Sequence, residues 1–144
     1  MVLTVTVDCK KVLKELDGDI ADENGLIREL TMKCTTYCRQ EAPKDTGDLH
    51  RSINPRINGS EGVVRTHLKY WRHVVFGTSA HEIEVKNKKF LSDHNSDSPK
   101  KKDVIYGKRV MHPGTRPNNF PGRAVKRVKG ELPSTARKYV KVKQ

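Results

Sequence analysis

The side chains able to do chemistry in this 144-residue chain are six histidines, three cysteines, one Asp-Thr-Gly turn and a large excess of lysine and arginine. His67, His73 and His81 fall closest together, with His112 further on. Their spacing fits no zinc pattern, and no Asp or Glu stands among them at ligand spacing. Cys34 and Cys38 are four residues apart and share a helix face with Leu30 and Tyr37. A metal would need two further ligands nearby, so they read as small apolar core side chains. With Cys9 the cysteine count is odd, which argues against a disulfide framework. Asp45-Thr46-Gly47 has the residue types of an aspartic-protease turn, but that chemistry needs two carboxylates in a closed apolar cleft, and the flanking sequence is polar. Gly107, Gly114 and Gly122 are too scattered for a phosphate-binding loop, and no Gly-x-Ser-x-Gly elbow occurs. The chain reads as a non-enzyme with no cofactor and no metal.

Charge is the stronger signal. The formal net charge is +12. Residues 1–60 hold 9 basic and 10 acidic side chains, and residues 61–144 hold 20 and 7. A neutral half followed by a basic half implies a surface facing a polyanion or an acidic protein. The sharpest cluster is Lys100, Lys101 and Lys102. Arg123, Lys126 and Arg127, with Lys129, crowd overlapping faces of a helix. These are the candidate DNA-facing residues, and phosphate contacts of this kind carry no sequence specificity. Apolar residues make up 34% of the chain, so the core is thin or completed by partner subunits. No apolar run approaches the ~20 residues of a membrane span. Met1-Val2-Leu3-Thr4-Val5 is too short and alternating for a signal peptide.

The elements that must position these groups follow from periodicity. Leu3, Val5 and Val7 alternate with polar residues as a short strand, and a brief helix is expected over Lys10–Leu16. Leu26, Ile27, Leu30, Cys34, Tyr37 and Cys38 give one apolar stripe on a helix from Asp22 to Glu41, ended by Pro43. Pro43-Lys44-Asp45-Thr46-Gly47 is turn chemistry. Leu49–Ile57, near an edge because of Pro55, and Val63–His67 read as strands around an Asn58-Gly59 turn. Tyr70–Phe76, with the only tryptophan, reads as the central strand of this antiparallel meander, turning out at Gly77-Thr78. Residues 79–111 read as a hairpin arm with strands over His81–Phe90 and Val104–Val110 and a mobile polar tip at 92–102. A two-stranded arm cannot bury its own faces, so it either folds over its own sheet or rests on a neighbouring subunit, and the second option predicts an oligomer. His112 to Asn119 is a rigid loop whose prolines fix φ. Asn118 or Asn119 caps a short helix over Gly122–Lys129, with Pro121 in its first turn. Gly130 and Pro133 break that pattern, and 130–144 is a basic C-terminal tail or a resumed helix. The expected fold is a single α+β domain: a long N-terminal helix on a small antiparallel sheet, a protruding hairpin arm and a short C-terminal helix.

Three series stand in order along the chain. They are Ala42-Pro43-x-Asp45-Thr46-Gly47-x-Leu49-x-x-Ser52-Ile53, then Tyr70-x-x-x-Val74-x-Phe76-Gly77-Thr78, then His112-Pro113-Gly114-Thr115-x-Pro117-x-x-Phe120-x-x-x-Ala124. Together with the helix before them and His81-Glu82-Ile83…Lys86-Asn87-Lys88-Lys89 in the arm, they resemble the tail-completion (head–tail joining) proteins of long-tailed phages and related viruses. The likeness covers roughly residues 22 to 128. It departs at Val75, where the family usually has an acid, and at Asn119-Phe120-Pro121-Gly122-Arg123-Ala124, where the family has Pro-Phe-Leu-x-Pro-Ala. The resemblance implies a structural virion protein of the neck or tail end, assembled in the host cytoplasm. It implies a homo-oligomeric ring that meets head–tail connector and tail terminator or tube proteins and touches viral DNA weakly, with no membrane contact. The alternative from composition alone is a stand-alone, sequence-nonspecific nucleic-acid-binding module of a mobile element.

Overall fold

In the computed structural model, which describes residues 3–6, 20–59, 61–86, 89, 91–93 and 104–141, helix α1 (Glu23–Glu41) is the longest element. The Asp22 carboxylate accepts the Gly25 N–H at 2.8 Å and satisfies one orphan amide of the first turn. Ala42, the residue before Pro43, takes extended angles (φ −65°, ψ 138°) and ends the helix. Leu26, Ile27, Leu30, Cys34 and Cys38 are buried along one stripe, as expected, and so are Thr31 and Thr35. Each threonine hydroxyl donates back to a carbonyl one turn earlier, Ile27 at 2.7 Å and Thr31 at 2.8 Å, so neither is left unpaired.

The sheet is three-stranded and antiparallel: β1 (Leu3–Thr6), β3 (Glu61–Thr66) and β2 (Asn54–Asn58), in that spatial order. β3 is central. Gly62, Val64 and Thr66 are its buried positions, and α1 packs against this sheet. Asn58 pairs with Glu61 across the expected turn, and Pro55 sits on the β2 edge strand.

Two strand assignments are corrected. Leu49–Ile57 is not one strand; α2 (Asp48–Ser52) precedes β2 and buries Leu49 and Ser52, three residues apart. Tyr70–Phe76 is not a strand either; α3 occupies Trp71–Phe76. Alternation would have buried His73 beside Trp71 and Val75. Instead Trp71 and Val75 are buried at a four-residue step and His73 is exposed.

Helix α4 (Phe120–Ala136) begins as expected, with Asn119 accepting the Gly122 N–H at 3.0 Å and Pro121 in the first turn. It does not stop at Lys129. Gly130 and Pro133 lie on its exposed side, while Leu132, Thr135 and Ala136 keep burying a continuous face. An interior proline costs a helix about 3 kcal/mol, and burial of Leu132 alone offsets roughly 1.5–3 kcal/mol of it. Nor do residues 130–140 form a free tail. A 3₁₀ turn (Arg137–Tyr139) follows α4, the Tyr139 carbonyl accepts the Ala21 N–H at 2.6 Å, and Val140 bridges to Ile20. The core joins α1 and α4 to Leu49, Ile53, Val64, Trp71 and Val75.

The arm consists of two ladders rather than one. β4 (His81–Glu84) pairs with β7 (Arg109–His112), and β5 (Leu91–Asp93) pairs with β6 (Val104–Gly107). The break in the return strand falls at Lys108, whose carbonyl accepts the Val85 N–H at 3.1 Å. Most of the expected tip, including Lys100, Lys101 and Lys102, lies outside the described residues, as do Cys9 and the helix expected over 10–16.

Candidate functional site

The arm joins the body through a crossing of two Gly-Thr dipeptides. Gly77-Thr78 leads the chain out of α3, and Gly114-Thr115 brings it back from β7. Thr78 and Thr115 exchange two backbone hydrogen bonds of 3.1 Å each. Their hydroxyls lie 3.1 Å apart, and the Thr115 N–H also reaches the Thr78 hydroxyl at 3.0 Å. Gly77 (φ +72°) and Gly114 (φ +86°) hold left-handed angles, and a Cβ on either would collide with the carbonyl oxygen of the opposing threonine. Beyond the clasp, the first rung of β4 and β7 pairs His81 with His112, rings 5.1 Å apart. His112 Nδ1 accepts the Gly114 N–H at 3.0 Å, which fixes that nitrogen as the unprotonated one when the bond is made. His81 Nδ1 faces the Ser79 carbonyl at 2.9 Å.

Two neighbouring clefts flank this clasp and share Pro43, Tyr70 and Val74. One, of about 460 Å³, is lined also by His73, Thr78, His81, Ile83, His112 and Thr115. The other, of about 410 Å³, is lined also by Asp45, Thr46, Gly47, Asp48 and Leu49. The three sequence series therefore converge on one surface. Tyr70 stands half out of this surface, while Phe76 (66% exposed) and Met111 (67%) are bare outside the lining of either cleft, Met111 opposite Glu82 on the face of the arm turned from His81 and His112. Pro113 is exposed beside Gly114. Phe120 does not belong to this surface: it is fully buried at the start of α4 and serves the core.

The chemistry of the Asp-Thr-Gly turn is structural. The Thr46 hydroxyl donates to Asp48 at 2.7 Å, Arg51 pairs with Asp48 at 2.7 Å, and these bonds hold Asp48 below the usual carboxylate range. Asp45 is exposed. Cys34 and Cys38 are buried free thiols, and the hydrogen bond between them, with burial, pushes the Cys38 thiol up and makes it a poor nucleophile. The described residues hold no cluster of three His, Cys, Asp or Glu side chains suited to a metal ion, and no described helix is long and apolar enough to cross a membrane.

The basic candidates fare unevenly. Arg123 is engaged with Glu41 at 2.8 Å and Asn118 at 2.7 Å. Arg127 meets Glu41 at 3.3 Å and Gln40 at 3.2 Å and lies 3.9 Å over the Tyr37 ring. Both tie α4 to the end of α1 and hold the Glu41 carboxyl below its ordinary range. Lys126 is exposed and forms no ion pair among the described residues. Sequence reading missed a second polar group on the sheet. Arg65 and His67 alternate with buried residues at the end of β3, beside Asn54 of β2. That alternation was the available signal. No family model, no curated protein and no solved structure matches this chain.

Proposed function

We propose that this chain is a structural assembly protein of a tailed virus particle, one that completes the tail end and joins it to the DNA-filled head as a ring of identical subunits. The observation that supports this best is the surface at the base of the arm. Three sequence series far apart in the chain meet there beside the Thr78–Thr115 clasp, with Tyr70 half exposed at the clefts, and Phe76 and Met111, next in sequence to the clasp and to His112, leave further apolar area uncovered. Uncovered apolar side chains beside preformed clefts suit a subunit interface. The motifs shared with the head–tail joining proteins supply the identity of the assembly, and the positive surplus suits a neighbour that carries DNA.

Electron microscopy of a lysate from a virus with an early stop codon in this gene tests the reading. Separate filled heads and free tails are expected. Overlong or absent tails would move the protein to tube assembly, and normal infectious particles would overturn the structural role. The second reading, a stand-alone nucleic-acid-binding module, is favoured by the exposed Arg56 and Arg65 of the sheet, which form no ion pair among the described residues. A monomer in solution that binds DNA tightly would support it.

A further inference from the structure

The face of the sheet turned away from α1 carries a cation cluster that the arm-base surface does not use. Within β3, Gly62, Val64 and Thr66 are buried and Arg65 is exposed; His67, two residues on, is exposed as well. Asn54 stands opposite Arg65 and Arg56 opposite Val63. Arg56 and Arg65 are therefore diagonal neighbours across the pair, at roughly 7–8 Å. Arg39 reaches the same place from α1, donating to the Ile53 carbonyl at 2.9 Å and to Asn54 Oδ1 at 3.1 Å. A cleft of about 370 Å³ opens here, lined by Ser52, Asn54, Arg65, Thr66 and His67.

Among the described residues, no carboxylate lines this cleft. Glu61, the only acid of β2 and β3, lies at the far end opposite Asn58. Several other described acids are engaged elsewhere: Glu29 and Glu131 with Lys33, Glu41 with Arg123, Asp48 with Arg51, and Glu82 and Glu84 with Arg109. Among the described residues, Arg39, Arg56 and Arg65 form no ion pair. Like charges are not gathered on one face for stability, since each raises the cost of the next. They fit a ligand that brings regularly spaced anions. Guanidinium groups bind phosphate oxygens two at a time.

We propose that this sheet face binds the sugar–phosphate backbone of nucleic acid. Contacts of guanidinium groups to phosphate oxygens carry no base information, so binding of this kind is blind to sequence. This assignment deepens the DNA-contact part of the proposed function and rests on that reading only for the identity of the polymer.

The test is fluorescence anisotropy of a labelled random-sequence duplex with the full chain, comparing R56Q/R65Q with R28Q/R137Q. Both variants remove two positive charges from exposed side chains, the second pair from α1 and from the turn after α4. Losing two phosphate contacts lowers the slope of log affinity against log salt by about 2. R56Q/R65Q is expected to show that change and a loss of about tenfold or more at low salt, with R28Q/R137Q within about threefold of wild type. Equal losses in the two variants, or no binding by the wild type at low salt, would overturn the proposal. Displacement of the duplex by poly-glutamate as readily as by unlabelled DNA would overturn it in favour of an acidic protein partner. Duplex binding with normal particles in the stop-codon lysate would sink the joining role and leave this surface standing; the reverse pair of results would do the opposite.

Discussion

Gly77 and Gly114 are the residues on which the arm's attachment turns. Each combines a left-handed φ with a carbonyl oxygen where a Cβ would stand. Gly77 also has ψ near −176°, a region open to glycine alone. Gly77→Ala and Gly114→Ala are each expected to destabilise the clasp by about 1–3 kcal/mol. Hydrogen exchange should report faster exchange at Thr78 and Thr115 with little change at Leu30 and Cys34. Gly130 is the contrasting case: it is helical, and a Cβ there meets nothing within 4 Å. Gly130→Ala should raise stability by about 0.5–1 kcal/mol. Equal destabilisation by all three would refute the clasp.

At the scale of elements, α1 and α4 are joined by carboxylates as well as by their apolar faces. Glu29 accepts from Lys138 at 2.9 Å and Tyr139 at 2.8 Å, and these bonds hold its carboxyl below the ordinary glutamate value of 4.5. Glu131 is lowered in the same way, first by the Tyr37 hydroxyl and then by Lys33 at 3.0 Å. A depressed carboxylate stabilises the fold above its unfolded pKa, and the contribution is lost as pH falls through the folded value. The melting temperature of the wild type is therefore expected to fall more steeply than that of an E29Q/E131Q variant as pH drops from about 5 to about 3, the range that spans free and lowered glutamate values. Parallel melting curves for the two proteins would show that the network does not couple the helices. Arg123 and Arg127 belong to the same joint through Glu41, which is why a surface inferred from helical spacing alone included them.

At the scale of the whole molecule, the described surface divides into an apolar region at the arm base and a cationic region on the open sheet face. The first suits copies of the same chain and the second suits phosphate. Phe76→Ser with Met111→Ser removes mostly exposed apolar area, and the one ring pair it breaks, Phe76 with Trp71 at 6.2 Å between centroids, limits the expected loss of stability to about 0.5–1.5 kcal/mol. In a complementation assay, the same variant is expected to leave heads and tails unjoined, as the stop codon does. Full complementation would separate the arm base from joining.

What the chain by itself determined is what its local chemistry encloses. The α+β class was legible, as were α1 with its Pro43 stop, the Asn58-Gly59 turn and a cap at Asn118 or Asn119, because the stop, the turn and the cap are each decided within a few residues of their own position. Only the tertiary structure made Tyr70–Phe76 a helix, since a short apolar run has no period of its own until a core selects which side chains it will bury. Only the tertiary structure carried α4 past Gly130 and Pro133, because the burial of Leu132 and Ala136 against neighbouring elements outweighs local propensity. The same holds for the site. The Thr78–Thr115 clasp spans 37 residues and the Arg123–Glu41 pair spans 82. Contacts at such separations leave no local pattern to read and exist only once the chain has closed on itself.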